Sequence, residues 1–140
     1  MRTQLARSLA FLSLCVSAAV AGACSKKARG GETVVSLTDI DMGRSLKGDR
    51  TIDDHTTTFR PSDNVYVVMA VKGNGTGTAT ANWYFGDNRK IATENQDVGA
   101  GKARLVVFRL SNPNGLAKGD YHVDITLNGV DQGSQKFSVD

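Results

Sequence analysis

The sequence predicts an all-β domain, an antiparallel sandwich of two sheets with seven to eight strands, set behind a leader and a flexible tether. Three observations carry that expectation. Apolar residues recur at every second position through most of the chain beyond residue 33, and a strand sends alternate side chains to opposite faces. Fifteen glycines against two prolines punctuate these runs at turn-like intervals. No segment keeps a helical period over about ten residues, so the crossovers that parallel strands require are missing.

The first element is removed from the fold. Residues 1–23 carry Arg2 and Arg7, then the apolar run "LAFLSLCVSAAVAGA", with no acidic residue. A charged start, a short apolar stretch and a small-residue exit describe a signal peptide, and the run is shorter than the ~20 residues of a membrane span. Cys15 leaves with it, and Cys24 becomes the only thiol of the processed chain. A lone thiol suits an oxidising compartment only if its sulfur is blocked. The stretch "VAGACS", Val20 to Ser25, resembles the signal of bacterial lipoproteins. That resemblance implies a lipidated Cys24, and Ser25 is similar to a residue that sorts such proteins to the outer membrane. Ala21 and Gly22 depart from the usual pattern of Leu, Val or Ile followed by Ala or Ser, and general signal peptidase acting at the same bond would leave Cys24 free. The next residues, 24–32, are small, basic and turn-rich and form the tether. Anchored, the protein belongs to the outer membrane, facing the periplasm or the exterior; unanchored, it is periplasmic or secreted.

The folded domain is expected over 33–140, with strand candidates in order. "TVVSLTDI" near Thr33 and "TTTFR" near Thr57 come first. "NVYVVMAVK" is apolar on both faces, with Val65, Val67, Met69 and Val71 opposite Tyr66, Val68 and Ala70, so it belongs in the middle of a sheet. "KGNGTGT" links it through a glycine-rich turn to "TATANWYFG", where Ala79, Ala81, Trp83 and Phe85 share one face. "RKIAT" near Ile91 follows. "ARLVVFRL" turns Val106, Phe108 and Leu110 inward. "DYHVDITLN" alternates most clearly, with Tyr121, Val123, Ile125 and Leu127 buried and His122, Asp124 and Thr126 wet. Asn128-Gly129 then accepts the positive φ values of a type I′ hairpin turn, and "SQKFSV" closes the chain.

Four pieces of that series, "TFRPSDNVY", Trp83, "GDYHVDITLNG" and "KFSV", are similar to small immunoglobulin-like or fibronectin-III-like domains of exported bacterial proteins. The resemblance implies a single immunoglobulin-like antiparallel β-sandwich, with Trp83 filling the core and Tyr121 forming a tyrosine corner. It spans roughly Thr57 to Val139, and its motifs specify packing rather than chemistry.

Charge has to be located before it is read. The chain holds 17 basic and 14 acidic side chains, but Arg2, Arg7, Lys26, Lys27 and Arg29 precede the domain, leaving 12 basic against 14 acidic from Gly30 onward. A nucleic-acid partner is therefore not expected, since it calls for basic residues collected on the folded part. The tether lysines suit anionic lipid headgroups.

Candidate sites are few. No G-x-S-x-G elbow is present, and the processed chain's cysteine has no histidine beside it, so no catalytic residue is assigned. His55 and His122 are the only histidines, too few for a zinc site without thiols, and neither a metal nor another cofactor is expected. Asp39, Asp41, Asp53, Asp54 and His55 offer hard ligands on neighbouring loops. They motivate an alternative reading as a metal-dependent envelope hydrolase, although the EF-hand spacing is lacking. "GNGTG" precedes a strand rather than a helix and is not a phosphate cradle. Tyr84 points away from Trp83 and Phe85, near Asn82 and within reach of Tyr66 on an adjacent strand; exposed aromatics on a sheet are anchors for protein or carbohydrate partners. The expectation is a lipid-anchored, non-catalytic binding or structural module of the bacterial envelope, with Tyr66 and Tyr84 as its candidate contact residues.

Overall fold

The computed structural model describes residues 35–99 and 104–140, and in it the alternating runs become nine strands. They are β1 (Ser36–Leu46), β2 (Ile52–His55), β3 (Thr58–Phe59), β4 (Val65–Lys72), β5 (Gly77–Phe85), β6 (Arg89–Val98), β7 (Leu105–Leu110), β8 (Gly119–Leu127) and β9 (Val130–Val139). Two sheets result, one ordered β2-β1-β4-β7 and the other β3-β9-β8-β5-β6. No helix occurs among the described residues. The segments expected from the sequence to be a signal peptide and a tether with Cys24, and residues 33 and 34, lie outside them.

The core is the space between the sheets. Val65, Val67, Met69 and Val71 line one wall, and Ala79, Ala81, Trp83, Val123 and Ile125 line the other. β4 runs between β1 and β7, the central position its two apolar faces call for; even the outward Val68 is buried. At one end an aromatic cluster fills the gap. Phe137 meets Phe59 edge-on at 5.6 Å, Trp83 edge-on at 6.1 Å and Tyr121 stacked at 5.0 Å. The Tyr121 hydroxyl donates to the Ala117 carbonyl at 2.6 Å, the corner expected from the sequence.

Three connections differ from the sequence expectation. "KGNGTGT" does not close a hairpin: β4 and β5 belong to different sheets, so this segment carries the chain across the sandwich. Asp53, Asp54 and His55 sit in β2 rather than a loop, paired with the far end of β1. β3 pairs with β9 in parallel, Thr58 opposite Ser138 and Phe59 opposite Val139, because it enters the second sheet by crossing from the first. Arg44 secures that crossing: its Nη2 donates to the Thr58 carbonyl at 3.1 Å. Its Nε lies 3.2 Å from Asp54 Oδ2 and 3.9 Å from Asp63 Oδ2.

Side chains also close the sandwich at the opposite edge. Glu94 of β6 accepts from the Arg109 backbone N–H at 3.1 Å, and Gln96 of β6 donates to the Val107 carbonyl at 3.3 Å. These bonds occupy backbone groups on β7 that would otherwise invite another strand.

Candidate functional site

β5 and β8 bury Trp83, Val123 and Ile125, so their intervening residues must face outward. The register then builds rows across the second sheet. Lys90 stands opposite Tyr84, Tyr84 opposite His122, and His122 opposite Lys136, giving one row over β6, β5, β8 and β9. The Tyr84 and His122 rings stack with centroids 4.6 Å apart and planes at 5°. That separation matches the spacing of neighbouring strands, so the rings stand side by side like books. Lys90 Nζ covers the Tyr84 ring, 5.7 Å from its centroid.

This arrangement decides what the row can recognise. Tyr84 spends its π-surface on His122 and Lys90, which leaves ring edges, the phenol and the imidazole for a ligand. Recognition must run through hydrogen bonds and charge rather than through stacking. The next row is polar as well: Thr93 donates to Asn82 at 3.0 Å, and Asn82 lies opposite Asp124. His122 Nε2 lies 4.0 Å from Asp124 Oδ2.

Beside His122 and Lys136 the surface opens into a cleft of about 350 Å³. Its acidic side is Asp87, in the β5–β6 turn, together with Asp120; Thr57, Thr58 and Ser138 contribute hydroxyls. Tyr121 and Phe137 also line it, and they belong to the buried aromatic cluster, so its base rests on packed core. The turn is pinned by the Gly86 N–H donating to the Asp120 carbonyl at 2.8 Å. The Thr57–Thr58 wall is held by Arg44 and by the Ser138 N–H, which donates to the Thr57 carbonyl at 2.9 Å.

The residues singled out in the sequence separate. Tyr84 is part of the row, whereas Tyr66 lies on β4 between Gly43 and Arg109 in the other sheet. The two tyrosines therefore occupy opposite outer faces and form no common patch. Asp39 and Asp41 are on β1 and Asp53, Asp54 and His55 on β2, but they do not converge. Asp39 accepts from the Ile40 N–H at 2.9 Å, and Asp54 is taken by Arg44. Asp41 and His55 share a shallow groove of about 370 Å³ with Gln135. No three His, Cys, Asp or Glu side chains gather as a metal ligand set among the described residues. Lys90, Lys136, Asp87 and Asp120 were not legible as site residues, because strand pairing alone brings them together; the period-two pattern of β8 did place His122 on the outer face.

No family model and no curated relative matches this chain. Solved structures do. It is similar to an immunoglobulin-like protein of Pseudomonas aeruginosa, at 13% identity and a TM-score of 0.57, covering 79% of this chain and all of that one. A Paenibacillus cycloisomaltooligosaccharide glucanotransferase, bound to cycloisomaltoheptaose, aligns at 19% identity and a TM-score of 0.49. A β-D-glucoside glucohydrolase of Trichoderma reesei aligns at 12% and 0.41. The match covers 75% and 78% of this chain but only 14% and 19% of those two enzymes. The fold is thus an immunoglobulin-like β-sandwich of four and five strands.

Proposed function

We propose that the chain is an exported, lipid-anchored, non-catalytic binding module of the bacterial envelope, and that it engages its ligand with the outer face of the five-stranded sheet. The observation that carries this reading is the row Lys90, Tyr84, His122 and Lys136, held in register beside a cleft whose base is packed core. A site built on strands holds its side chains more firmly than one built on loops. Tyr84 and His122 meet ring to ring, not through a hydrogen bond from nucleophile to base, which suits recognition without covalent chemistry. Export and anchoring rest on the leader and Cys24.

Two experiments test the halves separately. The natural chain and a Tyr84→Ala/His122→Ala variant serve as baits in envelope extracts. A ligand or partner recovered by the first and lost by the second supports the face; equal recovery by both, or none by either, refutes it. Mass spectrometry of the processed N-terminus tests the anchor. A diacylglyceryl mass that vanishes in Cys24→Ala, together with loss of membrane partition, is expected, and an unmodified thiol in the soluble fraction overturns it.

A further inference from the structure

The cleft beside the row holds charges of both signs that do not pair with one another. Asp120 and Lys136 are diagonal neighbours across β8 and β9, since Asp120 faces Ser138 and His122 faces Lys136. Diagonal neighbours lie about 7–8 Å apart, close enough for a lysine to reach a carboxylate. Yet among the described residues neither Lys136, Asp120 nor Asp87 has an opposite charge within 4.0 Å; the ion pairs found there are those of Arg44 with Asp54 and Asp63, and His122 Nε2 approaches Asp124 Oδ2 at 4.0 Å. An acidic side and a basic side thus face a common space of about 350 Å³, each free to take a counter-charge.

Resting on the reading of this face as a binding surface, we propose that the cleft takes a dipeptide-sized zwitterion. Its ammonium group is received by Asp87 and Asp120 and its carboxylate by Lys136 and His122. Size agrees: two extended residues span about 7 Å, the scale expected for diagonal neighbours such as Asp120 and Lys136. Charge complementarity decides between ligand classes. A dense polyanion would meet Asp87 and Asp120 as well as the lysine, at a like-charge cost. A neutral sugar would leave both signs unanswered, and the Tyr84 faces it would stack on are covered by His122 and Lys90. A ligand with one charge of each sign meets both the acidic and the basic side, and Thr57, Thr58 and Ser138 can bond its peptide group.

The test is a titration of the processed chain, isotope-labelled, with L-alanyl-L-alanine, its N-acetyl form and its C-terminal amide. Backbone amide shifts are followed by NMR. The free dipeptide is expected to shift Gly86, Asp87, Asp120, His122 and Lys136 saturably, with a dissociation constant on the order of 1 mM, and each blocked form to bind about tenfold more weakly. In Asp120→Asn the acetyl group should no longer matter as much, and in Lys136→Gln the amide should no longer matter as much. Both positions are exposed, and unchanged shifts elsewhere establish folding. Equal response to all three compounds, or none to any, overturns the proposal. If the face still captures a ligand from envelope extracts while the dipeptides do nothing, the zwitterion falls and the binding surface stands; if both fail, the two fall together.

Discussion

Gly43 is the position where one methyl group tests the pairing of β1 with β2 at the edge of the four-stranded sheet. A Cβ built there would overlap the Asp54 carbonyl oxygen and Ile52 Cγ2, and would lie 3.0 Å from the Asp54 carbonyl carbon. Backbone cannot rotate aside as a side chain does, so Gly43→Ala has to push β2 away from β1. Overpacking of this kind costs about 1–3 kcal/mol. Full release of β2 sets the ceiling, because Ile52, only 3% exposed, would give up burial of about 1.5–3 kcal/mol. We expect a loss of about 2–3 kcal/mol and a fall in Tm of roughly 10–20 °C for a domain of this size. Gly48→Ala is the control, as nothing lies within 4 Å of its Cβ; it should stay within about 0.5 kcal/mol. Urea unfolding gives the global value, and amide exchange locates it. Because β2 leads into the Thr57–Thr58 wall, faster exchange should extend from Ile52 through Thr58 and spare β8. A Gly43→Ala stability within about 0.5 kcal/mol of the natural chain would refute the β1–β2 packing, and so would uniform loss without local exchange.

Other substitutions probe single interactions. Arg44→Ala removes one hydrogen bond and a half-exposed ion pair, so it should cost about 1–2 kcal/mol by urea denaturation and weaken any ligand captured at the cleft; equal affinity would detach the clamp from the site. Trp83 is fully buried, and its Nε1 has no partner. Trp83→Phe therefore sheds an unsatisfied donor along with volume and should cost under about 1.5 kcal/mol, against about 3–5 for Trp83→Ala; a loss above 3 kcal/mol for the phenylalanine would mean that the indole is satisfied. Burial raises the Tyr121 phenol above its ordinary value of 10.0, opposed by Arg89. The unfolded chain then ionises first, so the stability Tyr121 contributes is whole below pH 10.0 and declines as pH rises beyond it. Tyr121→Phe should flatten that alkaline decline while costing about 1 kcal/mol at neutral pH. Deleting Gln132 removes the extra residue of the bulge and leaves every pair beyond it in place, Ile125 opposite Gly133 and Tyr121 opposite Phe137, so the chain should still unfold cooperatively by calorimetry; loss of the cooperative transition would refute the register.

How far the fold was legible depends on which interactions fix each feature. Alternation in β4, β5 and β8 is a property of each strand by itself, so the buried faces could be read directly, as could the Asn128-Gly129 turn, whose φ values are 53° and 78°. Tyr121 and Trp83 were legible because large side chains in an alternating run have one place to go. The partition of strands between sheets is another matter. "KGNGTGT" is long enough either to turn back or to cross, and nothing in its residues chooses. Tyr66 and Tyr84 consequently looked like neighbours, and the β2 carboxylates looked like a loop cluster.

The row itself shows why a site can be invisible in a chain whose fold is plain. Counting outward from the β8–β9 turn, Leu127 faces Val130 and Thr126 faces Asp131, so an unbroken ladder would set His122 against Gln135. The ladder is broken: Ile125 faces Gly133, and from there His122 faces Lys136. One inserted residue makes the difference, at a bulge where Gly133 holds a φ of 129° and its N–H bonds Asp131 at 2.9 Å. Because side chains alternate with a period of two, that single insertion exchanges the faces of everything beyond it. It sends Phe137 and Val139 into the aromatic cluster and, by the same step, delivers Lys136 to the cleft. Core packing thus selects the bulge, and the charge at the site is carried along by it. The basic side of the cleft is therefore a consequence of burying two apolar residues near the C-terminus.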